Sequence, residues 1–99
     1  MSFAAPEADL DRIAEICRRY GVARLEVFGS VGRGQERSDS DIDILYDLAP
    51  GARLGWDVET LADELSAVLG RPVDLVSRRA LHARLRDAVL AEARLLYAA

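Results

Sequence analysis

The chain has 99 residues, 51% of them hydrophobic and 30% charged, with a formal net charge of -4. That size supports one hydrophobic core and predicts a single domain over residues 1–99, while the lack of any apolar run near the ~20 residues of a membrane helix excludes a spanning helix. The 13 basic residues are all arginine against 17 acids, which argues against direct nucleic-acid binding by bulk electrostatics and removes lysine-based P-loop and Schiff-base chemistry.

From Pro6, the apolar residues Leu10, Ile13, Ile16, Cys17 and Tyr20 recur at helical spacing, with Pro6 suited to a first turn and Gly21 to a C-terminal cap. Val22 to Phe28 then alternates, Ala23, Leu25 and Val27 on one face and Arg24, Glu26 and Phe28 on the other, which is the pattern of a strand. It stops at Gly29-Ser30, and Gly32 and Gly34 loosen the next segment or let a short helix begin. Asp41 to Tyr46 is a second strand, with the carboxylates of Asp41 and Asp43 on one face and Ile42 and Ile44 on the other. Pro50-Gly51 marks a turn. Val58, Leu61, Leu65 and Val68 make a second helical stripe that Gly70 and Pro72 end, and Val73 to Ser77 is a third strand with Asp74 between two apolar residues. The tail from Ala80 to Tyr97 reads as one or two closing helices.

Helices alternating with short strands predict an α/β fold with one small sheet. Cys17 lies on the apolar stripe of the first helix and is read as core. Trp56 and Tyr97 are read as core or domain-edge packing ahead of partner contacts, and His82 as surface or helix packing. Met1 to Pro6 has neither the charged nor the apolar region of a secretory signal, and the lone Cys17 can form no internal disulfide, so the expected location is cytoplasmic.

A carboxylate entering an apolar strand loses hydration, which is costly unless a cation or strong hydrogen bonds compensate. Asp41 and Asp43, two positions apart on a strand, can share hard divalent cations. The Gly29-Ser30 turn at the end of the preceding strand offers backbone N–H groups and a hydroxyl to a phosphate. Cation ligands beside anion ligands are what a nucleoside triphosphate with Mg²⁺ requires. Competing patterns fail: a calcium loop starting at Asp39 would have Ile44 in place of its glycine and Pro50 in place of its glutamate, and neither G-x-G-x-x-G nor G-K-[ST] is present. Solvent-facing strand-edge acids are the plainer reading, disfavoured by the Gly-Ser turn and by the third acid, Asp74. The pairs Arg18/Arg19, Arg33/Arg37 and Arg78/Arg79 are read as solvated surface ahead of an anion or acidic-partner site.

Gly29-Ser30, Arg33-Gly34 and Ser40-Asp41-Ile42-Asp43-Ile44 resemble the GSxxRG...SDIDL signature of the minimal nucleotidyltransferases, a small branch of the DNA polymerase β superfamily. The first helix, Val73-Asp74-Leu75-Val76 and Ala91 to Tyr97 also resemble their counterparts there. The resemblance implies a nucleotidyltransferase fold of the polymerase β-like palm type, a small mixed sheet packed with helices. It implies that Asp41 and Asp43 ligate two Mg²⁺ ions, that Asp74 completes one metal site and helps deprotonate the acceptor hydroxyl, and that the Gly29 backbone and Ser30 hold the triphosphate of ATP. Arg33 would contact a phosphate or support the loop. The implied activity is Mg²⁺-dependent transfer of AMP from ATP to a hydroxyl, a tyrosine of a partner HEPN-domain RNase toxin, the chain acting as its antitoxin in a hetero-oligomer. So short a chain has little surface left for an acceptor pocket, which also calls for a partner. Two alternatives stand beside this: an antitoxin that neutralises by binding alone, its site vestigial, and transfer to a small molecule such as an aminoglycoside, which normally comes with an extra domain.

Overall fold

The computed structural model of the chain describes residues 7–28, 41–81 and 83–99. In chain order they form α1 (Glu7–Tyr20), β1 (Val22–Phe28), β2 (Ile42–Leu48), α2 (Asp57–Leu69), β3 (Val73–Ser77), α3 (Ala83–Glu92) and β4 (Arg94–Ala98). Glu7 and Asp9 in the first turn of α1, and Arg18 and Arg19 in its last, complement the helix dipole. Ile13, Ile16 and Cys17 of its apolar stripe are buried, whereas Leu10 lies at the exposed rim. The chain leaves α1 through Gly21 at φ +75°, a left-handed turn that favours glycine, and a Cβ there would lie 2.8 Å from that of Ala52. The predicted cap therefore has two physical causes. Pro6 lies outside the described residues.

β1 and β2 are antiparallel, with Leu25 opposite Tyr46, Val27 opposite Ile44 and Phe28 opposite Asp43. β3 joins β2 in parallel, a pairing that requires a crossover, and α2 supplies it. Leu61, Leu65 and Val68 of α2 are buried, and the helix ends at Gly70, whose N–H donates to the Ser66 carbonyl at 2.8 Å. Alternation along β1 and β2 turns Leu25, Val27, Ile42 and Ile44 toward α1 and α2, and all four are fully buried. Full burial of an aliphatic side chain of this size contributes about 1.5–3 kcal/mol, so this layer holds the sheet against the helices. Leu45 is also buried, at 1% exposure, but stands apart from that cluster because it points to the opposite face of the sheet.

The tail departs from the sequence reading. It forms α3 and then a strand, β4, antiparallel to β1, giving a mixed four-stranded sheet in the order β3-β2-β1-β4. Leu95, Leu96 and Tyr97 are apolar in an unbroken run, with no period to separate helix from strand. The free edge of β1 decides the outcome, with Leu25 opposite Tyr97 and the Ala99 N–H donating to the Ala23 carbonyl at 2.9 Å. Tyr97 packs against the core, as read from the sequence. Trp56 does not: it stands at the N-cap of α2 and is 96% exposed. His82 falls outside the described residues. Among the described residues no helix is long and apolar enough to cross a membrane.

Candidate active site

The register of the sheet assembles the acids. Asp43 of β2 is paired with Asp74 of β3 and with Phe28 at the end of β1. Paired positions share a face, so Asp43 and Asp74 both project on the side opposite α1 and α2. The Ile42 N–H donates to the Pro72 carbonyl at 2.8 Å, which ties the start of β2 to the approach of β3. Asp41 stands immediately before that bond, exposed, at the same end of the sheet. Asp74 is exposed as well, and Asp43 is half-buried.

Burial pushes the Asp43 carboxyl above the ordinary aspartate value of 3.8, and the charges of Asp74 and Asp41 push it further in the same direction. The three acids therefore act on one another electrostatically. They do not form a closed shell: among the described residues no three His, Cys, Asp or Glu side chains converge tightly enough to hold a metal ion. The two observations are compatible, because Coulomb repulsion extends well beyond ligand distance and keeps uncompensated carboxylates apart. Hard oxygen donors on one strand end, one of them with a raised pKa, suit Mg²⁺ in donor type.

Gly29, Ser30 and Arg33, the predicted triphosphate contacts, lie outside the described residues, as do Asp39 and Ser40. Phe28, the last described residue of β1, nevertheless stands directly opposite Asp43.

One feature of this face escapes sequence reading. Glu26 is only 8% exposed, with Arg24 Nε 3.2 Å and Arg78 Nη1 3.4 Å from its Oε1. The Arg24 contact is an ion pair without hydrogen-bond geometry, since Arg24 Nε is buried and has no hydrogen-bond partner. Glu26 is opposite Leu45, and Arg24 is opposite Asp47. From the strand end inward, the face thus presents Asp43, then Leu45 with Glu26, then Asp47 with Arg24. Arg78, read as solvated surface or an anion site, is committed to Glu26. The polar alternation of β1 marks Glu26, but its pairing across the sheet has no local signal.

A crevice of about 260 Å³ opens between α2 and β3, lined by Val58, Glu59, Ala62, Val73, Asp74 and Leu75. Asp74 therefore belongs both to the acid set and to this crevice. A second crevice, between α1 and α2, includes Arg12, Arg19 and Glu64 and shares no residue with the acids.

An acid pair in parallel register on a small mixed sheet is the arrangement expected of a nucleotidyltransferase, and comparison with known proteins shows that class of protein. Residues 10–96 match the nucleotidyltransferase domain family, and the chain belongs to that family. It is similar to the protein adenylyltransferase MntA of Thermococcus cleftensis, with 41% identity over 78 residues that cover 79% of this chain and 78% of the relative. Its fold matches a solved structure described as a minimal nucleotidyltransferase, with a TM-score of 0.73 and 44% identity over 88% of each chain. It also matches a toxin–antitoxin crystal structure containing AMP-PNP, with a TM-score of 0.64 and 29% identity over 91% of this chain and 73% of the other. The chain is a nucleotidyltransferase with the mixed-sheet fold of the minimal members.

Proposed function

We propose that residues 1–99 form a single minimal nucleotidyltransferase domain that transfers AMP from ATP to a tyrosine hydroxyl of a cytoplasmic HEPN-domain RNase toxin, acting as its antitoxin in a hetero-oligomer. The observation that carries the reading is the paired register of Asp43 and Asp74, with Asp41 at the same strand end and the Asp43 pKa raised by both neighbours. Likeness to a protein adenylyltransferase supports the choice of AMP and of a protein acceptor, and likeness to a toxin–antitoxin structure with an ATP analogue supports the partner.

Asp41, Asp43 and Asp74 would hold Mg²⁺, which when bound neutralises the charge that grows on the phosphates during transfer. The Gly29 backbone and the Ser30 hydroxyl would accept the triphosphate, with Arg33 contributing a phosphate contact. Asp74 would take the proton from the acceptor hydroxyl. The freed oxygen bonds to the α-phosphorus as the bond from that phosphorus to the bridging oxygen breaks, and pyrophosphate leaves with the electron pair.

The test combines purified protein and its co-expressed partner with Mg²⁺ and α-labelled ATP. Label on a tyrosine of the partner, lost with Asp41→Asn, is the expected result. An unlabelled partner, with ATP bound normally, would refute the transfer.

A further inference from the structure

β3, which carries Asp74, is the last strand in the sheet order, has five residues and has none that is fully buried. A strand paired on one side and weakly buried specifies its own register weakly. The peptide group that leads into it, between Pro72 and Val73, is held on both sides. Its carbonyl accepts from the Ile42 N–H of β2 at 2.8 Å. The peptide is trans, so its N–H points the other way, away from β2, and donates to Ser66 Oγ of α2 at 3.0 Å. The Ser66 hydroxyl in turn donates to the Ala62 carbonyl at 2.7 Å.

These three bonds make one chain with a fixed direction, in which each bond polarises the next. It starts on the backbone of α2 and ends at the Ile42 amide, which lies between Asp41 and Asp43, and it passes through the residue directly before Asp74. Within the helix the hydroxyl has no such use. Serine is a poorer helix former than alanine, and a bond back to the carbonyl four residues earlier weakens or bends a helix. Ser66 is half-buried on a helix whose Leu61, Leu65 and Val68 are buried in the core, so its hydroxyl is carried on a firm support.

We infer that Ser66 is a positioning residue for the acid site: its hydroxyl fixes the peptide before Asp74 and, through that peptide, the amide between Asp41 and Asp43. The two strand ends are thereby held at the separation that a shared cation needs. α2 packs on the sheet face opposite the acid side chains, so this influence runs through the backbone. The inference rests on the reading of Asp41, Asp43 and Asp74 as the Mg²⁺ ligands.

Amide hydrogen exchange of the metal-free protein, followed by NMR, tests the chain, and calorimetric titration with Mg²⁺ tests its consequence. In Ser66→Ala, the Val73 and Ile42 amides should exchange roughly tenfold faster, while those of α1 and of the β1–β4 pair change by less than roughly twofold. The Ile42 amide is the decisive reporter, because its only link to Ser66 is the Pro72–Val73 peptide. The same variant should bind Mg²⁺ roughly fivefold more weakly, yet transfer AMP at saturating Mg²⁺ within roughly twofold of the parental kcat. Ser66→Thr, which keeps a hydroxyl, should restore both the protection and the Mg²⁺ affinity. Unchanged exchange at Ile42 and Val73, or faster exchange throughout the fold, would overturn the chain. Unchanged Mg²⁺ affinity despite a loosened Ile42 amide, or a Ser66→Thr variant no better than Ser66→Ala, would overturn the positioning role. A parent protein that binds no Mg²⁺ would refute the metal site itself, while the exchange pattern would still decide the chain.

Discussion

At Asp43 three unfavourable influences coincide: partial burial, Asp74 in register across the β2–β3 pair, and Asp41 two residues earlier in the chain. A carboxyl whose pKa is raised on folding binds its proton more tightly in the native state than in the unfolded chain. Its cost to stability is therefore absent below the unfolded value of 3.8 and develops as pH rises through the folded value. Asn removes this cost without changing the side chain's size. In the absence of Mg²⁺, Asp43→Asn should raise stability near neutrality by up to about 1 kcal/mol, a figure that allows for solvent screening, and the gain should vanish in acid. Denaturant titrations of both proteins across pH check this, and the same variant should have lost AMP transfer. Cys17 shows burial acting on a different group. Its thiol is pushed up to about 12 by burial, with Arg18 pulling slightly the other way. Iodoacetamide should leave Cys17 untouched in the native protein and alkylate it in denaturant, as mass spectrometry would show; rapid native labelling would contradict its place in the core.

Between elements, α1 and α2 are clamped at their surface by Glu64, which accepts from Arg19 Nη2 at 2.7 Å through Oε1 and from the Tyr20 hydroxyl through Oε2. The Tyr20 bond first, and the Arg19 bond after it, hold the Glu64 carboxyl below its ordinary value of 4.5. The stabilisation is therefore present above that value and is lost as pH falls through the lower, folded one. Glu64→Gln should melt at a lower temperature than the parent near neutrality, and the two should converge in strong acid. A constant difference across pH would assign the effect to something other than this carboxylate. None of these partners can be found from the sequence, because Arg19 and Tyr20 are far from Glu64 along the chain. The elements themselves are more accessible. Helical spacing marks α1 and α2, alternation marks β1, and the acids at 41, 43 and 74 stand out because charge interrupts apolar strands. β4 escapes because the run from Leu95 to Tyr97 has no period, and its conformation is set by the free edge of β1. Trp56 misleads because aromatic residues usually pack, whereas this one stands exposed at the N-cap of α2. The Asp43–Asp74 register requires the parallel pairing of β2 with β3, which local patterns do not encode.

For the whole molecule, neutralising the partner by catalysis and neutralising it by binding alone make different demands on stoichiometry and on ATP. Two physical consequences separate these. A catalyst turns over, so substoichiometric protein with Mg-ATP should silence an excess of the partner's RNase activity, given time. A binder must be present at least one to one and should be indifferent to ATP. Asp74→Asn sharpens the comparison: it removes the candidate proton acceptor, yet it replaces only one exposed side chain and leaves the rest of the surface as it was. The parent should therefore inactivate the partner progressively and leave an added nucleotide mass on a tyrosine. The variant should bind with similar affinity and leave the partner unmodified and active. Equal inhibition by the two proteins, reached only at equimolar ratio and without modification, would assign the molecule to the binding class and make its acids a relic of the fold.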